Sequence, residues 1–215
     1  MTALYGVYGA GGCGRGIMPL LREQLRGVDA RLVFIDDGEQ TESVNGHAVW
    51  PWERFIEEPA DQRAACLAVA NSRIREQLFE RCTQARVEIA TVRAANAVEM
   101  DDVEIEPGAL ISPFVTFTSN ICIGRCFHAN VYSYVEHDCR IGDFVTFAPG
   151  VHCNGNVHVQ DHAYIGTGAI IRQGTPERPL VIGQGAVVGM GAVVTKDIPA
   201  GVTVVGNPAR PLVKG

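Results

Sequence analysis

From about residue 99 onward the chain repeats a six-residue beat of apolar positions. Stepping by six from Ile105 reaches Ile111, Phe117, Ile123, Ala129, Val135, Ile141, Phe147, Cys153, Val159, Ile165 and Ile171, and every one is apolar. In a chain that is 47% hydrophobic, such a run arises by chance about once in a thousand trials, even allowing for six phases. The position four residues further on is mostly small or apolar too, as in Ala109, Val115, Ile121, Phe127, Ser133, Cys139, Val145 and Val151. Glu177–Val181 interrupt the beat, which resumes at Ile182, Val188 and Val194. A period of six is not helical. It predicts a short strand and a bend per repeat, with the first and fifth side chains pointing inward. Three repeats close a triangular coil, and coils stack as parallel strands about 4.8 Å apart. The interruption predicts a loop leaving the coil near residues 175–181.

Residues 1–92 follow a different rule. Leu4–Tyr8 reads as an apolar strand, Gly9–Gly14 as a glycine loop and Ile17–Arg26 as a helix. Arg31–Ile35 is a second strand ending at Asp36-Asp37, and Cys66–Ala70 a third. A charged helix over Arg73–Arg81 and a fourth strand over Val87–Val92 complete the segment. Strands alternating with helices predict a small parallel α/β sheet. The expected organisation is therefore an α/β domain over residues 1–92 and a parallel β-helix over residues 93–215.

Composition narrows the function classes. Eighteen basic against 24 acidic residues give a formal charge of −6, which argues against a general nucleic-acid binder. No apolar run approaches the ~18 residues of a membrane span, and the N-terminus lacks the basic region of a signal peptide. Seven cysteines with no CxxC pair suit a reducing, cytoplasmic compartment better than a disulfide framework.

Two patterns carry chemistry. Gly9, Gly11, Gly12 and Gly14 form a GxGxxG loop between a strand and a helix, where backbone approaches a pyrophosphate and the helix N-terminus favours its charge. Asp36 follows 22 residues after Gly14, placed to accept hydrogen bonds from a ribose or base. About 90 residues leave room for one mononucleotide half, which predicts a nucleoside diphosphate rather than NAD. The second pattern is His137-Asp138. His137 is third in its repeat, so it points away from the coil interior, and Asp138 is placed to orient its ring. A histidine so placed is suited to take a proton from an attacking nucleophile. Gly155 lies 18 residues after His137, one full coil later. Its backbone N–H is then placed beside the ring, where it could stabilise a developing oxyanion. Cys139 and Cys153 fall on inward positions and read as inert core thiols rather than nucleophiles.

The segments YGAGGCGRGI, FIDD, VEHDCRIGDF, APG, GNV, VVGMGAVVTKDI and GNPAR together resemble the bacterial left-handed β-helix acetyltransferases of nucleotide-linked amino sugars, the PglD-like N-acetyltransferases and NeuD-like sialic acid O-acetyltransferases. The resemblance spans nearly the whole chain. It implies a left-handed coil, a nucleotide-sugar in the first domain, and acetyl-CoA as co-substrate lying along the β-helix between neighbouring subunits of a homotrimer. By position it also places Asp37, Asn71, Ser72 and Arg75 near the nucleotide. Backbone at Thr167, Gly189 and Met190 would contact pantetheine, with Lys196 and Arg210 near CoA phosphates. It assigns to His137 and Gly155 the roles read from the repeat. Many members carry a second histidine where this chain has Thr146.

The expected activity is acetyl transfer from acetyl-CoA to the amine of a nucleotide-linked amino-deoxy sugar, without a metal. Sugar O-acetylation is the nearest alternative. A metal-dependent hydratase like the γ-type carbonic anhydrases is a rival of another class, drawing on His128, His152, His158 and His162, whose spacings do not reproduce that family's Hx4H. A non-catalytic nucleotide-sugar binder is a third.

Overall fold

The structure is a computed structural model describing residues 3–38 and 41–212. The chain divides after Ala95 into two compact units.

The first unit is an α/β sheet. Strands β1 (Ala3–Tyr8), β2 (Ala30–Ile35) and β5 (Gln62–Leu67) form its centre, with β3 (Ser43–Val44), β4 (His47–Trp50) and β6 (Glu88–Ile89) outside them. The order is β3-β4-β2-β1-β5-β6, and every pairing is parallel except β3 with β4. Helices α1 (Gly12–Gln24), α2 (Trp52–Glu57) and α3 (Ser72–Gln84) connect them. Because β1 sits between β2 and β5, the chain leaves β1 to one side and later returns to the other. That topological switch at the carboxyl end of β1 is where open α/β sheets bind ligands, and the glycine loop starts there.

Several elements differ from the sequence reading. The third strand is Gln62–Leu67 rather than Cys66–Ala70, because Val69 and Ala70 turn outward and offer their carbonyls to Arg75. The fourth strand shrinks to Glu88–Ile89. The hairpin of β3 and β4 and the short helix α2 were not expected. The hairpin turns at Asn45-Gly46, both with positive φ (50° and 81°), the residue pair a two-residue hairpin turn favours.

The second unit is a three-sided parallel β-helix. Face I carries Leu110–Ile111, His128–Ala129, Thr146–Phe147, Tyr164–Ile165 and Val187–Val188. Face II carries Thr116–Phe117, Tyr134–Val135, His152–Cys153, Ile170–Ile171 and Val193–Val194. Face III carries Val103–Ile105, Ile121–Ile123, Arg140–Ile141, Val157–Val159 and Leu180–Ile182. Each register step is 18 residues until Val157 pairs with Leu180, where the expected five-residue loop leaves the coil and closes through Thr175 and Arg178.

The corners explain why the repeat is so strict. From Asp102 to Gly168 every sixth residue has positive φ, between 52° and 88°. A left-handed backbone costs an ordinary residue about 1–2 kcal/mol. Burying an aliphatic side chain returns about 1.5–3 kcal/mol, and each corner brings two inward positions with it. The inward side chains form one continuous core from Ala109 to Val204, so burial outweighs corner strain.

Candidate active site

His137 and Asp138 occupy a corner on the edge between faces II and III. Asp138 has a φ of 58°, a conformation aspartate tolerates better than most residues. From there its Oδ2 lies 2.7 Å from His137 Nδ1. A carboxylate only accepts, so Nδ1 carries the proton and Nε2 presents a lone pair. Among the described residues Nε2 has no partner, and the side chain is 43% exposed.

One coil further along the same edge is Gly155. Asn156 N–H donates to His137 O at 2.9 Å, so the two coils are in step. A Cβ placed on Gly155 would lie 2.5 Å from His137 Cε1 and 2.6 Å from Nε2. The imidazole therefore rests directly on the glycine, and any side chain would displace it. The Gly155 N–H has no acceptor among the described residues. A basic nitrogen and an unspent amide thus sit side by side. Beneath them Cys139 and Cys153 are fully buried. The hydrogen bond between the two thiols, and burial, push that of Cys153 well above the ordinary thiol range, as expected for core groups.

In the first unit the glycine loop has the expected form. Gly14 must be glycine, since a Cβ there would fall 1.8 Å from Gly9 O. Gly11 and Gly12 open onto free space at the start of α1, whose N-terminus no side chain caps. Asp36, expected to face a ribose or base, instead accepts from Ala10 N–H (2.9 Å) and Gly38 N–H (3.1 Å), tying the two loops together. Asp37 accepts from Tyr8 Oη (2.8 Å), Trp52 N–H (2.8 Å) and Arg81 Nη1 (2.7 Å). Burial works to raise its carboxyl, but these bonds outweigh that and hold it below the usual carboxylate range. Burial and the Asp37 bond push the Tyr8 hydroxyl upward.

The model of the PglD N-terminal domain matches residues 6–82. GDP-perosamine N-acetyltransferase of Escherichia coli O157:H7 is 51% identical over 210 residues, covering 96% of this chain and 95% of that protein. The chain belongs to the PglD-like sugar N-acetyltransferases. Among solved structures, WeeI from Acinetobacter baumannii AYE matches with a TM-score of 0.95 at 55% identity, over 98% of this chain and 100% of that one. The acetyltransferase domain of PglB from Neisseria gonorrhoeae FA1090, in complex with acetyl coenzyme A, matches at 0.87 and 31% identity, over 97% and 98%. The left-handed parallel β-helix implied by the resemblance is the fold of this family, and the chain is an acyltransferase.

Within this acyltransferase the other expected site residues scatter. Thr167, Gly189 and Met190 lie on the edge between faces I and II, not on the His137 edge, and Met190 is 82% exposed. Lys196 is on the His137 edge and lines a cavity of about 590 Å³ together with Arg172 and Arg178. Arg210 bonds its neighbour's carbonyl, Ala209 O, on a strand that turns back along face I. In the first unit Asn71 caps α3, accepting from Arg73 and Ile74 N–H. Ser72 is the first residue of that helix. Arg75 is fully buried and donates to Val69 O and Ala70 O, so it builds the loop.

The sequence reading missed Tyr8, Trp52 and Arg81, which surround Asp37; Arg81 also lies over the Trp52 ring at 4.8 Å. Tyr8, the last residue before the glycine loop, was the available signal. The histidines of the hydratase rival lie apart: His128 on face I, His152 on face II, His158 on face III and His162 at a corner. Among the described residues no group of three His, Cys, Asp or Glu side chains is arranged to hold a metal. Among the described residues no helix is long and apolar enough to cross a membrane.

Proposed function

We propose that the enzyme transfers the acetyl group of acetyl-CoA to the amine of a nucleoside-diphosphate-linked amino-deoxy sugar. GDP-perosamine, named by the 51% identical relative, is the first substrate to test. In this reading His137 Nε2 takes the proton from the amine as its nitrogen attacks the thioester carbonyl. Asp138 holds the ring in the required tautomer. The Gly155 N–H donates to the oxygen as it becomes an oxyanion. The C–S bond then breaks, and the proton passes to the CoA thiolate. The observation that carries the proposal is the His137 ring lying on Gly155 beside an unspent amide.

The nucleotide end would rest on Gly9, Gly11, Gly12 and Gly14, with Asp36 and Asp37 shaping the pocket rather than serving as free ligands. Thr167, Gly189 and Met190 are on a different edge from His137, so one chain does not line the whole CoA path. A homotrimer supplies the missing edge from a neighbouring copy, with Lys196, joined by Arg172 and Arg178, meeting the CoA phosphates. The reaction needs acetyl-CoA, a cytoplasmic metabolite, which supports a cytoplasmic location for the enzyme. The test is thiol release from acetyl-CoA with GDP-, UDP- and dTDP-linked amino sugars and their hydroxyl counterparts. Turnover with an amino sugar and none with its hydroxyl counterpart is expected; the reverse pattern would replace N- by O-acetylation.

A further inference from the structure

Between Ala109 and Ala169 the inward fifth position of the repeat holds a hydrogen-bond donor at Ser133 and Cys139; the others are Ala, Val, Ile or Phe. Both make the same contact. Ser133 Oγ donates to Ala148 O at 3.0 Å, and Cys139 Sγ donates to Asn154 O at 3.3 Å. In each case a side chain inside one coil holds the carbonyl 15 residues ahead, in the next coil.

The carbonyl held by Cys139 belongs to the peptide whose other end is the Gly155 N–H. That unit is planar and trans, so its C=O and N–H point in opposite directions. No backbone N–H donates to Asn154 O among the described residues. Two thiols face this carbonyl from the core, Cys139 Sγ at 3.3 Å and Cys153 Sγ at 3.9 Å; the nearer one draws it inward, and drawing it inward turns the Gly155 N–H outward, beside the His137 ring. From outside, Tyr134 Oη donates to Asn154 Oδ1 at 3.0 Å, and Asn154 Nδ2 donates to Ile171 O at 2.7 Å, so the residue is gripped on both sides.

We propose that Cys139 is a positioning residue for catalysis: its S–H fixes the direction of the Gly155 amide. This rests on the reading of Gly155 as oxyanion donor. Without the Cys139 thiol the carbonyl keeps only the long 3.9 Å contact of Cys153 Sγ, and rotation of the peptide toward another donor relieves that cost while misdirecting the amide.

The test compares Cys139→Val with Cys139→Ser in the full-length enzyme. Valine occupies the same repeat position at 145, 151 and 157, so it fills the core without a donor, and thermal melting verifies that the fold is kept. Cys139→Val is expected to lower kcat about ten-fold with KM for both substrates within two-fold of the parent and an unchanged pH profile of kcat. Cys139→Ser is expected to recover most of the loss. Parental kcat in Cys139→Val, or equal impairment in the serine variant, would overturn the proposal. Gly155→Ala measured alongside separates the two levels: if it too keeps full turnover, the oxyanion reading fails. If it is impaired while Cys139→Val is not, the positioning role alone fails.

Discussion

The two units build their candidate sites by opposite means. In the β-helix, periodicity does the placing. His137 and Gly155 meet because they are one coil apart on one edge, and every coil between Asp102 and Gly168 turns its corners with the same backbone. In the α/β unit nothing repeats. Asp37 is held by Tyr8, Trp52 and Arg81 from three separate elements, and Asp36 is spent on joining loops. A repeating scaffold fixes a site by register, whereas an irregular one fixes it through individual side-chain contacts. Substitutions should therefore have sharper catalytic effects on the coil edge and more structural effects around the glycine loop.

The largest effect is expected for His137→Asn, with kcat falling by about 10³-fold in thiol-release assays while nucleotide-sugar binding, measured calorimetrically, is kept. Gly155→Ala follows, with a loss of about 10²-fold in kcat, since the new Cβ would strike the His137 imidazole at Cε1 and Nε2. A substitution in the first unit then sharpens the contrast. Gly14→Ala pushes a Cβ onto Gly9 O, so it should raise KM for the nucleotide-sugar and lower Tm, with the KM for acetyl-CoA unchanged.

Smaller effects probe the Asp37 cluster. Its carboxyl is held below the usual range in the folded chain. The stability it contributes is therefore present above the unfolded carboxylate pKa of about 3.9 and is lost as pH falls through the lower folded value. Asp37→Asn should lower Tm by about 2–4 °C near neutrality, with the difference from the parent narrowing at acid pH. An equal Tm difference at all pH values would remove the charge from the explanation. Asn71→Ala is expected to cost about 1 kcal/mol through the lost helix cap and to leave kcat unaltered; a drop in kcat would give Asn71 the ligand role that its cap geometry argues against.

How much was legible in the sequence follows the same division. The apolar beat at every sixth position yields the coil, the inward thiols, the loop near 175–181 and the pairing of His137 with Gly155, because each depends only on counting. The hairpin at Asn45-Gly46 was also written locally, although its flanking runs are too short to show alternation. Arg81 and Trp52 were not readable, since only folding brings both side chains against Tyr8 at the carboxyl end of β1, beside Asp37. Asn71 and Arg75 look like ligand residues by position, yet one caps a helix and the other, buried, satisfies two loop carbonyls. Its inward position makes Cys139 read as an inert core thiol. The position was right, but the carbonyl it holds lies 15 residues away and appears only once the coils are stacked.

The account is tested most directly by a structure of His137→Asn with CoA thioester and amino sugar both bound. It predicts the thioester oxygen about 3 Å from Gly155 N and the sugar amine within about 3.2 Å of the side chain at position 137. A complex that seats the reacting amine and carbonyl on any other edge of the coil would contradict it.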